Sequence, residues 1–218
     1  NGGVLKVKEK KTNEIYAAKI FNRQINIMSK EFFVEWQILQ SLKYPSIVKF
    51  KGISDRDFNG DKKPVLIIEY CKEGSLYDFM QKVYQHYDES VRKEYRIKWN
   101  STMKMINLIG IALGMKYLHN HDIIHRDLKF NNILLDDELQ PKICDFDHSK
   151  LLKFDANDHN SLNVGTLMYM APEIQSSSTY SFPVDAYSFG VISYYIYPDQ
   201  FPETPIDDLH LKKLPRFV

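Results

Sequence analysis

The hydrophobic positions in the first part of the chain change from an alternating pattern to a helical one and then to short apolar runs. Apolar residues alternate with polar ones on both sides of Lys11-Thr12-Asn13, which predicts two antiparallel strands joined by a polar turn. Between residues 29 and 42 the apolar positions recur every three or four residues, which predicts a helix. Apolar runs at 47–50 and 65–70 predict two further strands. The front of the chain is therefore expected to be rich in strands and to contain one helix.

From residue 75 onward the pattern is mainly helical, with short strands near the middle. Helices are predicted at 76–84, 102–119 and 184–197. The helix at 102–119 carries an apolar face that we expect to be buried, formed by Met105, Ile109, Ala112, Leu113 and Tyr117. The remaining segments are expected to be a charged surface stretch at 85–98, short strands at 133–135 and 142–144, and an irregular loop at 148–166.

The composition is that of an ordinary globular protein. Hydrophobic residues make up 44% of the 218 residues and charged residues 26%, and the net charge is +1. A charge this small gives no reason to expect nucleic acid or an acidic membrane as a partner. The most apolar run, at 106–115, is too short to span a bilayer. Cys71 and Cys144 lack metal-type spacing, so two free thiols are expected, in the cytoplasm or the nucleus.

The sequence IIHRDLKFNNILLDDELQPKICDFD, at residues 123–147, holds the groups with the clearest chemistry. Asp127 could orient or deprotonate a hydroxyl, and Lys129 could neutralise phosphate oxygens. Asn132 and Asp145 offer the oxygen ligands that Mg²⁺ prefers. The alternative is a chance run of charged turn residues, which the strand-like flanks make much less favourable. The segment therefore predicts phosphoryl transfer.

These residues resemble the catalytic and metal-binding motifs of protein kinases. The resemblance extends over almost the whole chain and implies an α+β, bilobal fold, with a strand-rich first lobe at 1–70, a hinge at 71–74 and a mainly helical second lobe at 75–218. YAAKIF resembles the strand that carries the nucleotide-binding lysine, here Lys19, and Glu35 resembles its partner glutamate. Taken alone, Glu35 would be interpreted as an exposed helix acid.

The resemblance also implies where ATP and Mg²⁺ would bind. VLIIEYCKEGSL resembles the hinge, with Ile68 at the gatekeeper position, and Gly2 and Val4 fit the end of the glycine-rich loop. The residues expected to bind the nucleotide are Gly2, Val4, Ala17, Lys19, Glu35, Ile68, Glu69, Cys71 and Leu134. The expected catalytic residues are Asp127, Lys129 and Asn132, and the expected Mg²⁺ ligands are Asn132 and Asp145.

Later motifs resemble the parts of a kinase that support and regulate the catalytic segment. In GTLMYMAPEI, Thr166 would support the catalytic acid and Glu173 would brace the second lobe. VDAYSFGV resembles the helix whose acid, here Asp185, anchors the catalytic segment. Ser161 lies where a phosphate on the activation loop would face Arg126, although an unmodified loop serine fits the sequence equally well.

The resemblance implies a serine/threonine kinase that transfers the γ-phosphate of ATP to protein substrates. The Lys of HRDLK and the Gly-Thr before LMYMAPE are typical of that class, and Trp99 with KYLH resembles the tyrosine-kinase-like group. A peptide-binding module unrelated to nucleotides would leave these motifs unexplained.

The sequence departs from the kinase pattern in three places. The first glycines of the glycine-rich loop and the later helices of the second lobe are expected to be missing, and Arg216 is the only late arginine. Asp147 stands where the metal motif DFG has Gly, which permits unusual backbone angles. A third carboxylate also adds negative charge beside the phosphates. These departures favour an alternative function, a pseudokinase or scaffold that binds a nucleotide or a partner without turnover.

Overall fold

The computed structural model describes residues 3–21, 30–151, 167–176 and 181–197, and the fold is α+β, as predicted. The strands are β1 (Val4–Lys8), β2 (Ile15–Ile20), β3 (Phe50–Ser54), β4 (Val65–Glu69), β5 (Gly74–Ser75), β6 (Ile123–Ile124), β7 (Ile133–Leu135), β8 (Pro141–Ile143) and β9 (Lys150–Leu151). The helices are α1 (Lys30–Ser41), α2 (Leu76–Tyr84), α3 (Glu89–Lys98), α4 (Ser101–His119), α5 (Pro172–Ser176) and α6 (Pro183–Ile196), with single 3₁₀ turns at Phe130–Asn132 and Leu167–Tyr169.

The front of the molecule is an antiparallel sheet with the strand order β1-β2-β4-β3. The predicted hairpin of β1 and β2 is confirmed, and its turn contains Asn13 in the left-handed region with φ 63°. In the pairing of β2 with β4, Ala17 lies opposite Ile68 and Lys19 lies opposite Leu66. Because strand side chains alternate, Ala17 and Lys19 share one face of this sheet.

One strand of this sheet lies further along the chain than predicted. The apolar run at 47–50 indicated a strand, but β3 begins only at Phe50. Ile47 and Val48 are instead buried in the loop before β3, where Ile47 forms an isolated parallel bridge with Ile143 of β8. A short apolar run is compatible with a buried loop as well as with a strand, and periodicity alone does not separate the two.

The back of the molecule is built from helices around small sheets. At the start of α2, Ser75 and Asp78 form a reciprocal capping box, which satisfies backbone donors of the first turn. Every residue of α3 is exposed or half-buried, as predicted for the charged stretch. Behind these helices, β5, β7 and β8 form one sheet, and β6 pairs with β9.

The position of the long helix α4 was predicted correctly, but the face predicted to be buried was wrong. Met105, Ile109 and Leu113 are exposed, and the buried face is formed by Lys104, Asn107, Ile111, Gly114, Met115 and Leu118. The two sets lie on opposite sides of the helix, so α4 is apolar all round and its periodicity does not identify the core face. Within the described residues, no helix combines the length and apolar content that crossing a membrane would require.

The loop after α1 joins the front of the molecule to the back through backbone hydrogen bonds. Ile143 N donates to Ser46 O at 2.8 Å, and Val48 N donates to Ile143 O at 2.9 Å. Helix α4 supports this junction closely, since a Cβ atom added to Gly114 would lie 2.8 Å from the Ile143 side chain. A Cβ atom at Gly110 would lie 2.5 Å from the Pro141 side chain. The front and back share one continuous apolar core at this junction.

Candidate active site

The segment after β6 is fixed from below by a buried carboxylate. Asp185, at the start of α6, is fully buried, and its two oxygens accept hydrogen bonds from His125 N and Arg126 N, each at 2.9 Å. His119 Nε2 lies 3.0 Å from the same carboxylate. Arg126 adopts a left-handed φ of 66°, a conformation that a non-glycine residue keeps only when its surroundings impose it. The contacts of Asp185 with both flanking amides provide that constraint.

His125 connects this segment to the strand that leads to the second acid. Its Nε2 lies 3.0 Å from the carbonyl oxygen of Cys144, so Nε2 carries the proton and donates it. Its Nδ1 accepts from Asp127 N at 3.3 Å. The ring also packs against the buried Phe146 with centroids 5.1 Å apart. His125 therefore holds Asp127 and the 144–146 stretch at a fixed separation.

Asp127, Lys129 and Asn132 converge on one carboxylate oxygen. Lys129 Nζ lies 2.7 Å from Asp127 Oδ2, and Asn132 Nδ2 donates to the same oxygen at 2.9 Å. The Asn132 amide also donates to Asp127 O at 2.8 Å, which fixes its orientation. The Asp127 side chain is buried, whereas the Lys129 side chain is 22% exposed. This arrangement presents a carboxylate, a cation and an amide oxygen on one short stretch of chain.

Lys19 connects the front sheet to the acids of the back. Its Nζ lies 2.7 Å from Glu35 Oε2 on α1, and it also donates a hydrogen bond to Asp145 Oδ1. Asp147 Oδ2 lies 4.0 Å from the same nitrogen. Glu35 is buried, which corrects the interpretation of this residue as an exposed helix acid. One ammonium group thus faces three carboxylates.

This shared cation determines the protonation behaviour of the cluster. Burial disfavours the ammonium of Lys19, but Glu35 and then the two aspartates outweigh it, and the pKa of Lys19 lies above its ordinary value. Burial also raises the pKa of Glu35 to about 7, because one lysine shared with two other carboxylates compensates it only partly. Burial acts in the same direction on Asp145, yet the adjacent Lys19 holds the pKa of Asp145 below its ordinary range.

Asp147 requires no special backbone conformation. The described non-glycine residues with left-handed φ include Asp145, at 67°, but not Asp147. The backbone strain expected from replacing the DFG glycine by Asp147 is therefore absent. The left-handed residue of this motif is Asp145. The Asp147 side chain is nevertheless buried, and its Oδ1 accepts no hydrogen bond within the described part of the chain.

The residues expected to bind adenine lie along β2, β4 and β7. Ala17 and Ile68 are paired across the sheet and buried, Cys71 is buried after β4, and Leu134 of β7 is half-buried. The Glu69 carboxylate accepts from Lys49 N at 2.7 Å. Val4 is 62% exposed at the outer strand. Three predicted functional residues, Gly2, Ser161 and Thr166, lie outside the described residues, as does the late arginine Arg216.

The side chains of Asn132 and Asp145 fit the donor set of a hard divalent cation. Because the amide nitrogen of Asn132 donates to Asp127, its carbonyl oxygen is oriented away from Asp127. Asp145 already binds a cation, the ammonium of Lys19. Carboxylate and amide oxygens are the ligands that Mg²⁺ prefers, and nucleotide phosphates commonly complete its coordination.

Sequence reasoning found the acids of this site but missed its supports. It identified Asp185 but not His119, and it assigned no contact to the His125 ring. The pair of like charges at Asp145 and Asp147 was visible in the sequence. Its closeness to Lys19 was not, because it depends on how the front sheet meets the back.

Comparisons with known proteins agree on one family. The family model described as Protein kinase domain matches residues 1–213. Receptor protein-tyrosine kinase CEPR1 of Arabidopsis thaliana is 34% identical over 207 residues, covering 88% of this chain and 20% of that protein. Probable serine/threonine-protein kinase PBL26 of Arabidopsis thaliana is 35% identical over 195 residues, covering 88% and 44%. Mitogen-activated protein kinase kinase kinase 13-B of Xenopus laevis is 34% identical over 171 residues, covering 78% and 16%. The chain spans less than half the length of each of these relatives.

Proposed function

The chain belongs to the protein kinase family, and from that premise we propose that it transfers the γ-phosphate of Mg-ATP to serine or threonine hydroxyls of protein substrates. The observation that carries this proposal is the Asp127 carboxylate held between Lys129 Nζ at 2.7 Å and Asn132 Nδ2 at 2.9 Å. Phosphoryl transfer needs little covalent chemistry from a protein, so positioning and charge neutralisation supply most of the catalysis.

Each residue has a role that its surroundings support. Asp127 orients the attacking hydroxyl and can accept its proton, while Lys129 neutralises the transferred group. Lys19, held by Glu35 at 2.7 Å, positions the α and β phosphates. Asn132 and Asp145 would hold Mg²⁺, which neutralises charge on the phosphates when bound.

Serine and threonine are proposed as acceptors because Lys129 follows the acid by two residues, a pattern typical of that class. The relatives include both a receptor protein-tyrosine kinase and a probable serine/threonine-protein kinase by name, so the acceptor must be measured. Phosphoamino-acid analysis of a phosphorylated generic substrate separates the two. Recovery of phosphotyrosine alone would contradict the assignment.

The experiment that tests the transfer is a phosphorylation assay with labelled ATP, Mg²⁺ and a generic protein substrate. Asp127→Asn and Lys19→Met should each reduce the rate by at least about a hundredfold, the lower range for removing a general base or a charge-stabilising group. Asp137→Asn is the matched control, because it makes the same chemical change at an exposed turn residue. A rate that Asp127→Asn leaves unchanged would refute the mechanism.

One observation favours the second candidate function, a scaffold that binds nucleotide without turnover. Lys19 is engaged by Glu35 and Asp145, and Asp147 adds a further charge 4.0 Å away, so the lysine must leave carboxylates to reach a phosphate. Thermal stabilisation by Mg-ATP without any phosphorylation would support the scaffold. Phosphorylation that depends on Asp127 would exclude it.

Phosphorylation of Ser161 is proposed as a means of regulation. The Arg126 Nε donates to the carbonyl oxygen of His148, so this guanidinium is already ordered on the segment that follows the second acid. A phosphate on Ser161 would offer that guanidinium a dianionic partner in competition with the carbonyl oxygen. Mass spectrometry after incubation with ATP, together with Ser161→Ala, tests this proposal. A phosphorylated chain with the same activity as the Ser161→Ala variant would contradict it.

A further inference from the structure

The acid cluster around Lys19 carries more negative charge than the protein's own cation neutralises. Glu35 Oε2 lies 2.7 Å from Lys19 Nζ, Asp145 Oδ1 accepts a hydrogen bond from the same nitrogen, and Asp147 Oδ2 lies 4.0 Å from it. When all three acids are ionised, the Lys19 ammonium faces three negative charges, and Lys129 adds only a smaller favourable interaction with Asp145. An excess of this kind in a partly buried place is costly unless a further cation joins it.

Asp147 contributes a buried oxygen that lacks a donor. Its side chain is 7% exposed, and within the described residues Oδ1 accepts no hydrogen bond. The ring nitrogen His148 Nε2 lies 3.7 Å from this oxygen, beyond hydrogen-bond distance. Buried carboxylate oxygens normally receive donors or bind metals, since an unsatisfied one loses its hydration without compensation.

The direction of this side chain is not imposed by the backbone. Asp147 does not adopt a left-handed φ, so its position tolerates a side chain, and a carboxylate on a surface turn would ordinarily face water. Here the carboxylate faces Lys19 and shares that direction with Asp145. Two carboxylates separated by one residue therefore face the same ammonium group.

We propose that Asp147 is an additional ligand for a divalent cation, acting with Asp145 and Asn132, so that the chain binds Mg²⁺ or Mn²⁺ before it binds a nucleotide. The proposal rests on the proposed function, which assigns Asn132 and Asp145 to the metal. Mg²⁺ is usually bound through one or two carboxylates, with substrate phosphates completing its coordination. A second carboxylate from the protein reduces the dependence on those phosphates. A cation bound there would also replace Lys19 on Asp145 and release the lysine toward the phosphates.

The test is a titration of the nucleotide-free chain with Mn²⁺, in which the free ion is followed by electron paramagnetic resonance and Mg²⁺ serves as the competitor. Asp147→Asn keeps the size of the side chain, and Asp147→Gly removes it. Both should weaken Mn²⁺ binding by at least about tenfold, because the loss of even an outer-shell partner costs about that much. Asp137→Asn, which removes an equal charge from an exposed turn, should bind Mn²⁺ as the unaltered chain does.

Two results would overturn the proposal. The first is Mn²⁺ affinity that is equal in the unaltered chain and in both Asp147 variants, which would leave Asp147 as a partner of Lys19 alone. The second is the absence of Mn²⁺ binding by the unaltered chain without nucleotide. Circular dichroism of each variant establishes that it is folded, and Asp147→Asn keeps the test decisive if Asp147→Gly does not fold.

The failure of this proposal and the failure of the proposed function give different results. Phosphorylation that Asp127→Asn abolishes, together with unaltered Mn²⁺ binding by the Asp147 variants, would refute only the cation site. Mn²⁺ binding that depends on Asp147 in a chain without phosphorylation activity would support the cation site and refute turnover.

Discussion

The replacement Asp185→Ala tests whether one buried carboxylate holds the catalytic segment in place. Asp185 accepts from His125 N and Arg126 N at 2.9 Å each, and it is fully buried. Hydrogen bonds to a charged group contribute about 1.5–3 kcal/mol each, so the loss of both should lower the free energy of unfolding by about 3–6 kcal/mol. That is a large part of the stability of an ordinary domain. Because His125 N and Arg126 N would lose their acceptor, Arg126 should also leave its left-handed conformation.

The assay is equilibrium unfolding in urea followed by tryptophan fluorescence, together with the phosphorylation rate of the folded fraction. Ser188→Ala is the matched control on the same helix, because Ser188 is also buried but donates only neutral bonds, to Tyr169 O at 2.8 Å and Val184 O at 3.1 Å. It should cost about 1 kcal/mol. A loss for Asp185→Ala no greater than that of Ser188→Ala would refute the anchoring argument.

Three further predictions follow from packing, charge and burial. Gly110→Ala should lower the unfolding temperature, because the added Cβ overpacks the junction at a cost of about 1–3 kcal/mol. Gly190→Ala should raise it through a gain of about 1 kcal/mol in helix propensity, because a Cβ atom there meets no heavy atom within 4 Å. Equal shifts in the two variants would contradict the packing argument. Because burial raises the pKa of Glu35 from 4.5 to about 7, the folded chain holds a proton that the unfolded chain releases. The free energy of unfolding should therefore fall by up to about 3 kcal/mol as pH rises across that window, and Glu35→Gln should remove this slope in urea titrations; an unchanged slope would count against the burial argument. Burial raises the pKa of Cys71 to about 12 and that of Cys144 well above its ordinary value, so iodoacetamide should alkylate both thiols only after unfolding; rapid double alkylation of the native chain, detected by mass spectrometry, would show that they are accessible.

Most of the fold could be predicted because strands and helices leave periodic patterns of different length. The hairpin of β1 and β2 was identified from alternation, and helix α1 was identified from apolar positions that recur every three or four residues. The pattern was insufficient where both sides of an element are apolar. Helix α4 shows this, since Met105 and Ile109 repeat with the same spacing as the buried Ile111 and Met115. The elements packed against α4, among them β8, α6 and β6, determine which face is covered.

The candidate site likewise has one part that the sequence predicts and another that it does not. Asp127, Lys129 and Asn132 lie close together in sequence, so their convergence follows from a short turn. Lys19 and Asp145 are separated by 126 positions, and their contact depends on the whole core between them. The sequence motifs gave the expectation of a pair between Lys19 and Glu35, whereas the contact of Lys19 with Asp145 and the burial of Asp147 beside it depend on the tertiary arrangement.

The backbone hydrogen bonds that join Ser46 and Val48 to Ile143 limit how the two halves of the molecule can move relative to each other. They fasten the front to the back at a junction packed against α4, whereas the site joins the two halves through the side chain of Lys19. A side-chain ion pair can exchange partners while the backbone stays in place. The backbone hydrogen bonds at the junction, in contrast, cannot shift without disturbing β8. Relative motion of the halves should therefore be a rotation about residues 46–48, with its largest displacement far from that axis. Gly110 and Gly114, which let α4 pack closely against Pro141 and Ile143, should lie near that axis and be displaced least.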